Sequence, residues 1–166
     1  MLQHHDLLMT MAQVSATFAG FSGIIGVFRR GSSLSEVEIG VLQVRAVVEI
    51  GVLATGFALL PFVPDGFGAA EALTWRFCSA IAGVVFLSSF LGAMRRVRVS
   101  TGEGAIVNDP LLVGIGLTVV GVSQVVLWLN VFGTTSDAAA TLYVVALLLV
   151  LAHAGFMFVR LLTPRK

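Results

Sequence analysis

The sequence predicts an all-α integral membrane protein, a single domain over residues 1–166 in which five helices cross the bilayer. The chain is 57% apolar and only 11% charged, whereas soluble domains are about 45–50% apolar and about 25% charged. Its mean hydropathy is +0.99. Five stretches also reach the roughly 20 mostly apolar residues that a membrane-spanning helix needs. Together these observations predict a bundle with very little chain outside the membrane.

The five apolar stretches follow one another with short connections. They cover residues 7–28, 39–63, 73–94, 111–132 and 138–162. The first is the most polar and ends at Arg29. Proline, which lacks the backbone N–H that a helix interior needs, stops the second stretch at Pro61 and Pro64. The third ends just before Arg95.

The last two stretches carry signals at their boundaries. Asp109 and Pro110 precede the fourth, as a helix cap followed by proline in the first turn. Asp137 is the expected cap of the fifth stretch, and Pro164 lies just beyond its end. None of the connections is long enough to form a second domain.

The distribution of basic residues predicts the orientation, because cytoplasmic loops are enriched in lysine and arginine. With five crossings, the ends of the first, third and fifth stretches share one side. Eight of the ten basic residues lie there: Arg29, Arg30, Arg95, Arg96, Arg98, Arg160, Arg165 and Lys166. We therefore expect the N-terminus outside and the C-terminus in the cytoplasm, with the protein in the cytoplasmic membrane. The first stretch is expected to remain in place, since its arginines follow the apolar run, unlike those of a secretory signal.

Three glycines at spacings of three stand near the end of the first stretch, in the segment GFSGIIGVFRRG. The spacing fits neither a dinucleotide fingerprint nor a P-loop, and both motifs require a preceding strand. Gly20, Gly23 and Gly26 are instead interpreted as helix-packing positions, because small residues allow helix backbones to approach closely. This interpretation predicts that the first helix is central, wrapped by the second and fifth.

Ionisable residues inside membrane helices are functional candidates, because charge in the bilayer is costly. Arg45 and Glu49 stand four residues apart on the second stretch. His153, on the fifth, lies seven residues before Arg160, or about 10 Å from that end of the helix. Glu49 and His153 are therefore expected at similar depths.

Hydroxyl side chains complete a predicted polar layer at this depth. Ser22, Ser88 and Thr118 lie on the first, third and fourth stretches. With Glu49 and His153 they could form a proton relay or a cation site, whereas a structural hydrogen-bond network would use the same atoms.

The sequence contains no pattern for other chemistry. The formal net charge is +1 and there is a single cysteine, Cys78, so neither nucleic-acid binding nor an intrachain disulfide is expected. There is no nucleophile–base pair and no metal-ligand motif. The protein is thus expected to be neither an enzyme nor a cofactor carrier.

Two functions remain open on the sequence alone. The first is passage of protons or a small cation through the polar layer, by a homo-oligomer in the lipid bilayer. The alternative is a non-catalytic membrane subunit, scaffold or sensor whose intramembrane polar residues are structural.

Overall fold

The computed structural model describes residues 4–28, 34–100, 110–133 and 138–162 of the chain, and among these there is no strand. The helices are α1 (His5–Phe28), α2 (Leu34–Leu59), α3 (Phe62–Gly66), α4 (Glu71–Ser100), α5 (Pro110–Val131) and α6 (Ala139–Leu162). Five spans within the described residues are long and apolar enough to cross a membrane, the second formed by α2 together with the short α3. The prediction of an all-α protein with five helices able to span a membrane is confirmed for the described residues.

The helix boundaries differ from the prediction most clearly at three places. Helix α2 begins at Leu34, before the predicted start at residue 39. The second apolar stretch is interrupted, since α2 ends at Leu59 and α3 begins at Phe62. Pro61 lies in the turn between them, as expected for a residue without a backbone N–H. The third stretch is longer than predicted, because α4 continues to Ser100. No glycine or proline occurs between Arg95 and Ser100 to stop it.

At the start of α5, Pro110 occupies the first helical position as predicted, where its missing N–H costs nothing. The two expected aspartate caps, Asp109 and Asp137, lie outside the described residues, as do Arg29, Arg30, Arg165 and Lys166.

Consecutive membrane-spanning helices run antiparallel. The Gly51 backbone of α2 approaches Ser15 and Ala19 of α1, and nearer the other end Gly26 approaches Val44. On α4 and α5, the Gln124 amide donates to the Gly83 carbonyl at 3.1 Å. We call the end that holds the starts of α1, α4 and α6 the Trp75 end, and the opposite end the Arg95 end.

Helix α6 is the centre of the bundle, because it packs against α1, α2, α4 and α5. Helix α1 packs chiefly along α2, with a smaller contact to α6. The prediction that the first helix is central is therefore wrong. The small residues of α1 offer little surface to bury, whereas α6 contributes large side chains such as Tyr143 and Leu147, both fully buried.

The bundle is tightly packed at the Trp75 end and looser at the Arg95 end. Trp75 and Tyr143 are buried with their ring centroids 5.6 Å apart. Toward the Arg95 end, none of the described residues from Val84 to Arg95 on α4 or from Gly114 to Val122 on α5 is buried. On α1, α2 and α6, buried residues occur closer to the Arg95 end, and Ala154 of α6 is an example. The α4–α5 pair is thus less closely packed at this end.

Candidate functional site: the α5–α6 seam

Three residues of α5, spaced seven apart, face α6. At the Trp75 end, the Asn130 side chain donates to the Ala139 carbonyl of α6 at 2.8 Å. Nearer the Arg95 end, a Cβ placed on Gly116 would lie 3.4 Å from Cε1 of the His153 ring. Ser123 lies midway on the same face, because seven residues make nearly two helical turns. We call Gly116, Ser123, Asn130 and His153 the α5–α6 seam.

Two polar atoms of the seam are buried without a hydrogen-bond partner among the described residues. They are Ser123 Oγ and His153 Nδ1. Ser123 has 2% of its surface exposed, so its hydroxyl is shielded from the outer surface of the bundle. An unpaired buried polar atom costs about 1–3 kcal/mol, and such atoms call for a physical explanation.

The two ends of the seam differ. At the Trp75 end Asn130 is buried and also donates to Ser79 Oγ of α4 at 3.3 Å. At the Arg95 end Gly116 and His153 are each only partly buried. Hydrogen-bonded side chains therefore close the seam at one end, whereas the chain covers its residues only in part at the other end.

Gln124 and Tyr143, two other interior polar residues of the bundle, are engaged in structural hydrogen bonds. Gln124 Oε1 accepts from Trp128 Nε1 at 3.2 Å, while its Nε2 donates to α4. Tyr143 Oη donates to the Phe57 carbonyl at 2.8 Å. The bonds of Gln124 Nε2 and Tyr143 Oη join helices toward the Trp75 end, where Thr74 Oγ1 is also buried, without a partner among the described residues.

Arg45 and Glu49 lie on one face of α2, as predicted, but this is an outer face. Arg45 is exposed and Glu49 is half-buried. Val52 and Gly56, which continue this face by helical spacing, are exposed. The pair therefore lies away from Gly51, which contacts α1.

Glu49 and His153 lie at similar depths but point to different surfaces. Measured along each helix from the Phe57–Tyr143 hydrogen bond, Glu49 is about 12 Å and His153 about 15 Å toward the Arg95 end. The His153 ring, however, lies against Gly116 of α5. A shared site between the two side chains within one chain is not supported by these directions.

The hydroxyl groups of the predicted polar layer also diverge. Ser88 and Thr118 are exposed, and each donates to its own helix, to Val85 O at 2.9 Å and to Gly114 O at 2.9 Å. Ser22 is fully buried, and its Oγ has no partner among the described residues. The five side chains do not form a common layer inside one chain, because equal depth does not specify the helix face.

The three glycines interpreted as packing positions have different surroundings. A Cβ on Gly26 would lie 2.7 Å from a methyl group of Val44, so this residue is a close contact between α1 and α2. No atom of another helix lies within 4 Å of the corresponding positions on Gly20 and Gly23. Within the chain, only Gly26 of the three acts as a packing glycine.

Of the seam residues, the predicted polar layer included only His153. The available signal was the seven-residue repeat of a glycine, a serine and an asparagine, which places all three on one helix face. That face could have been compared with His153 only after α5 and α6 were known to be antiparallel neighbours.

In comparisons with known proteins, no family model, no curated protein and no solved structure matches the chain.

Proposed function

We propose that this protein passes protons or a small cation along the α5–α6 seam. The proposal rests on two buried polar atoms, Ser123 Oγ and His153 Nδ1. Both belong to the contact between α5 and α6, and neither has a hydrogen-bond partner among the described residues. Both can exchange hydrogen bonds with water that enters from the Arg95 end. The proposed route is therefore the α5–α6 seam, and not the predicted polar layer across all five helices.

His153 is the titratable member of the proposed route. A neutral imidazole accepts a proton on one ring nitrogen and releases one from the other, so the ring can relay a proton without moving far. Gly116 leaves room beside Cε1 and Nε2 of that ring. The Ser123 hydroxyl both donates and accepts, and therefore suits a relay through water.

Asn130 marks the closed end of the proposed route. Its amide holds α4, α5 and α6 together through Ser79 and Ala139. Passage to the Trp75 end requires these bonds to exchange for bonds to water, so we propose that Asn130 acts as the constriction.

The proposed setting is a cytoplasmic membrane, with the Arg95 end facing the cytoplasm. The basic residues near the ends of α1, α4 and α6 support this orientation, because basic residues favour the cytoplasmic side. The outer-face position of Arg45 and Glu49 supports a homo-oligomer, in which another subunit covers an ionisable pair that lipid tolerates poorly.

A second function, that of a non-catalytic membrane subunit, is favoured by a different observation. The hydrogen bonds of Gln124, Asn130 and Tyr143 all join helices. In that case the seam only stabilises the fold, and its polar atoms carry no flux.

Flux through reconstituted liposomes distinguishes the two functions. Purified protein is incorporated with an internal pH dye, and proton uptake is followed after a potassium diffusion potential is applied, with sodium and potassium uptake measured in parallel. Ion passage predicts flux above empty liposomes that falls strongly in His153→Ala and in Ser123→Ala.

Two variants serve as controls for that experiment. Thr118→Val removes an exposed α5 hydroxyl that bonds only to its own helix, and should leave the flux unchanged. Glu49→Gln tests the outer face of α2 separately. Absence of flux in the wild-type protein, or equal losses in Thr118→Val and Ser123→Ala, would contradict the seam as the route.

A further inference from the structure

Gln13 lies on the face of α1 that points directly away from the rest of the bundle. Its side chain is exposed. It is two residues from Ser15, which is buried and whose backbone contacts Gly51, and two residues correspond to about 200° around a helix. The outer stripe of α1 therefore carries a primary amide.

The depth of Gln13 makes this position costly in a single chain. The residue lies eight positions beyond the start of the span His5–Gly26, or about 12 Å into it. The amide makes no hydrogen bond to another described residue. Acyl chains offer neither donors nor acceptors, so a polar group there gains by meeting a protein partner.

The residues around Gln13 can accept such a partner. Thr17 is exposed on the same face, and its hydroxyl donates to the Gln13 carbonyl at 2.7 Å, which leaves its lone pairs free to accept. Gly20 is exposed, with no atom of another helix within 4 Å of the position of a Cβ. A second helix backbone can therefore approach closely at Gly20.

We infer that the outer stripe of α1, formed by Gln13, Thr17 and Gly20, binds a second copy of this chain. The argument for a second copy is complementarity. A two-fold axis along the membrane normal brings identical residues together at identical depth, and a primary amide, with one acceptor and two donor hydrogens, is complementary to itself. Each Gln13 then donates to Oε1 of Gln13 or to the Thr17 hydroxyl of the other copy.

This inference is independent of the proposed ion passage, since the stripe lies on α1 and the seam lies between α5 and α6. It also assigns a role to Gly20, which has no packing partner within the chain. Interhelical hydrogen bonds and small residues are the usual sources of helix association in membranes.

The test is a count of subunits in liposomes over a range of protein densities, by single-molecule photobleaching of a fluorophore attached to each chain. The wild-type protein should dimerise. Gln13→Leu and Gly20→Leu should each weaken dimerisation by about tenfold, from the lost hydrogen bonds and the lost close approach. Gln13→Asn, which keeps the amide, should dimerise more strongly than Gln13→Leu.

Gly121→Leu is the matched control, because Gly121 is an exposed glycine of α5 with equally open surroundings. It should dimerise like the wild-type protein. The inference is overturned if the wild-type protein is monomeric at every density, or if the dimer is indifferent to both α1 variants. It is also overturned if Gly121→Leu weakens the dimer as much as Gly20→Leu does.

Discussion

The imidazole of His153 lies against the backbone of Gly116, with Cε1 3.4 Å and Nε2 3.6 Å from the position that a Cβ on Gly116 would occupy. A methyl group fits at this distance with ordinary van der Waals contact, but a branched side chain does not. The contact joins His153, which lies in the half of α6 nearer the Arg95 end, to α5. Helix α5 also carries Ser123 and Asn130.

A larger side chain at position 116 should therefore displace the imidazole. We expect Gly116→Val to lower proton flux in liposomes, while Gly116→Ala retains most of it. Gly114→Val is the control, since Gly114 has open surroundings. Equal flux in Gly116→Val and wild-type protein would show that the position of the His153 ring does not matter.

The hydrogen bond from Tyr143 to Phe57 should be structurally important because of Pro61. In a continuous helix the Phe57 carbonyl would accept from the N–H of residue 61, and proline has none. Tyr143 Oη supplies the missing donor at 2.8 Å. We expect Tyr143→Phe to lower the free energy of unfolding in detergent by about 1–3 kcal/mol, because it leaves a buried carbonyl unpaired.

A double-mutant cycle checks this explanation. The backbone at Pro61 is already helical, with φ −61° and ψ −25°, so Pro61→Ala can restore an N–H to Phe57 O. Tyr143→Phe should then cost less in the Pro61→Ala background than in the wild-type protein. Identical costs in the two backgrounds would mean that Tyr143 contributes only through packing.

The turn after α5 should be sensitive to substitution at Gly133. Its φ is +71°, and the Arg76 guanidinium occupies the space where a Cβ would stand. Gly133→Ala should combine backbone strain, roughly 1–2 kcal/mol, with displacement of Arg76. Gly68 also has a positive φ, +73°, but open surroundings. Unfolding measurements should therefore show a larger loss for Gly133→Ala than for Gly68→Ala.

The helices were predictable from the sequence, whereas the arrangement of their faces was not. Hydropathy over long windows is a one-dimensional property, so the five spans followed from composition alone. The prolines predicted where the second stretch stops, but not that α2 would end at Leu59 and that a short α3 would follow. Which helix occupies the centre depends on pairwise packing, which the sequence does not display. For this reason the sequence favoured α1 as the central helix, although α6 occupies that position.

The candidate site shows the same limit. Depth along a helix can be counted from a boundary, and Glu49 and His153 do lie at similar depths. The direction of a side chain depends on which neighbour its helix meets, so Ser88 and Thr118 could not be identified as outward-facing. Ser123 required both the seven-residue spacing and the identity of the neighbouring helix.

The proposed orientation is tested by reporters at the two ends of the chain. A reporter that works only in the cytoplasm should be active when it is fused after Lys166. A reporter that works only outside the membrane should be active when it is fused before Met1. The reason is the concentration of basic residues near the ends of α1, α4 and α6, because cytoplasmic segments are enriched in them. Activity of both reporters on the same side would contradict five crossings.

Solvent access to Ser123 tests the central claim most directly. In a Cys78→Ser background, Ser123→Cys on α5 and Ala82→Cys on α4 place single thiols at positions that are both buried and lie at similar depths; only position 123 is assigned to the route. A small water-soluble thiol reagent added at the Arg95 end should label Ser123→Cys and not Ala82→Cys. Protection of both thiols to the same extent would contradict a water-accessible α5–α6 seam.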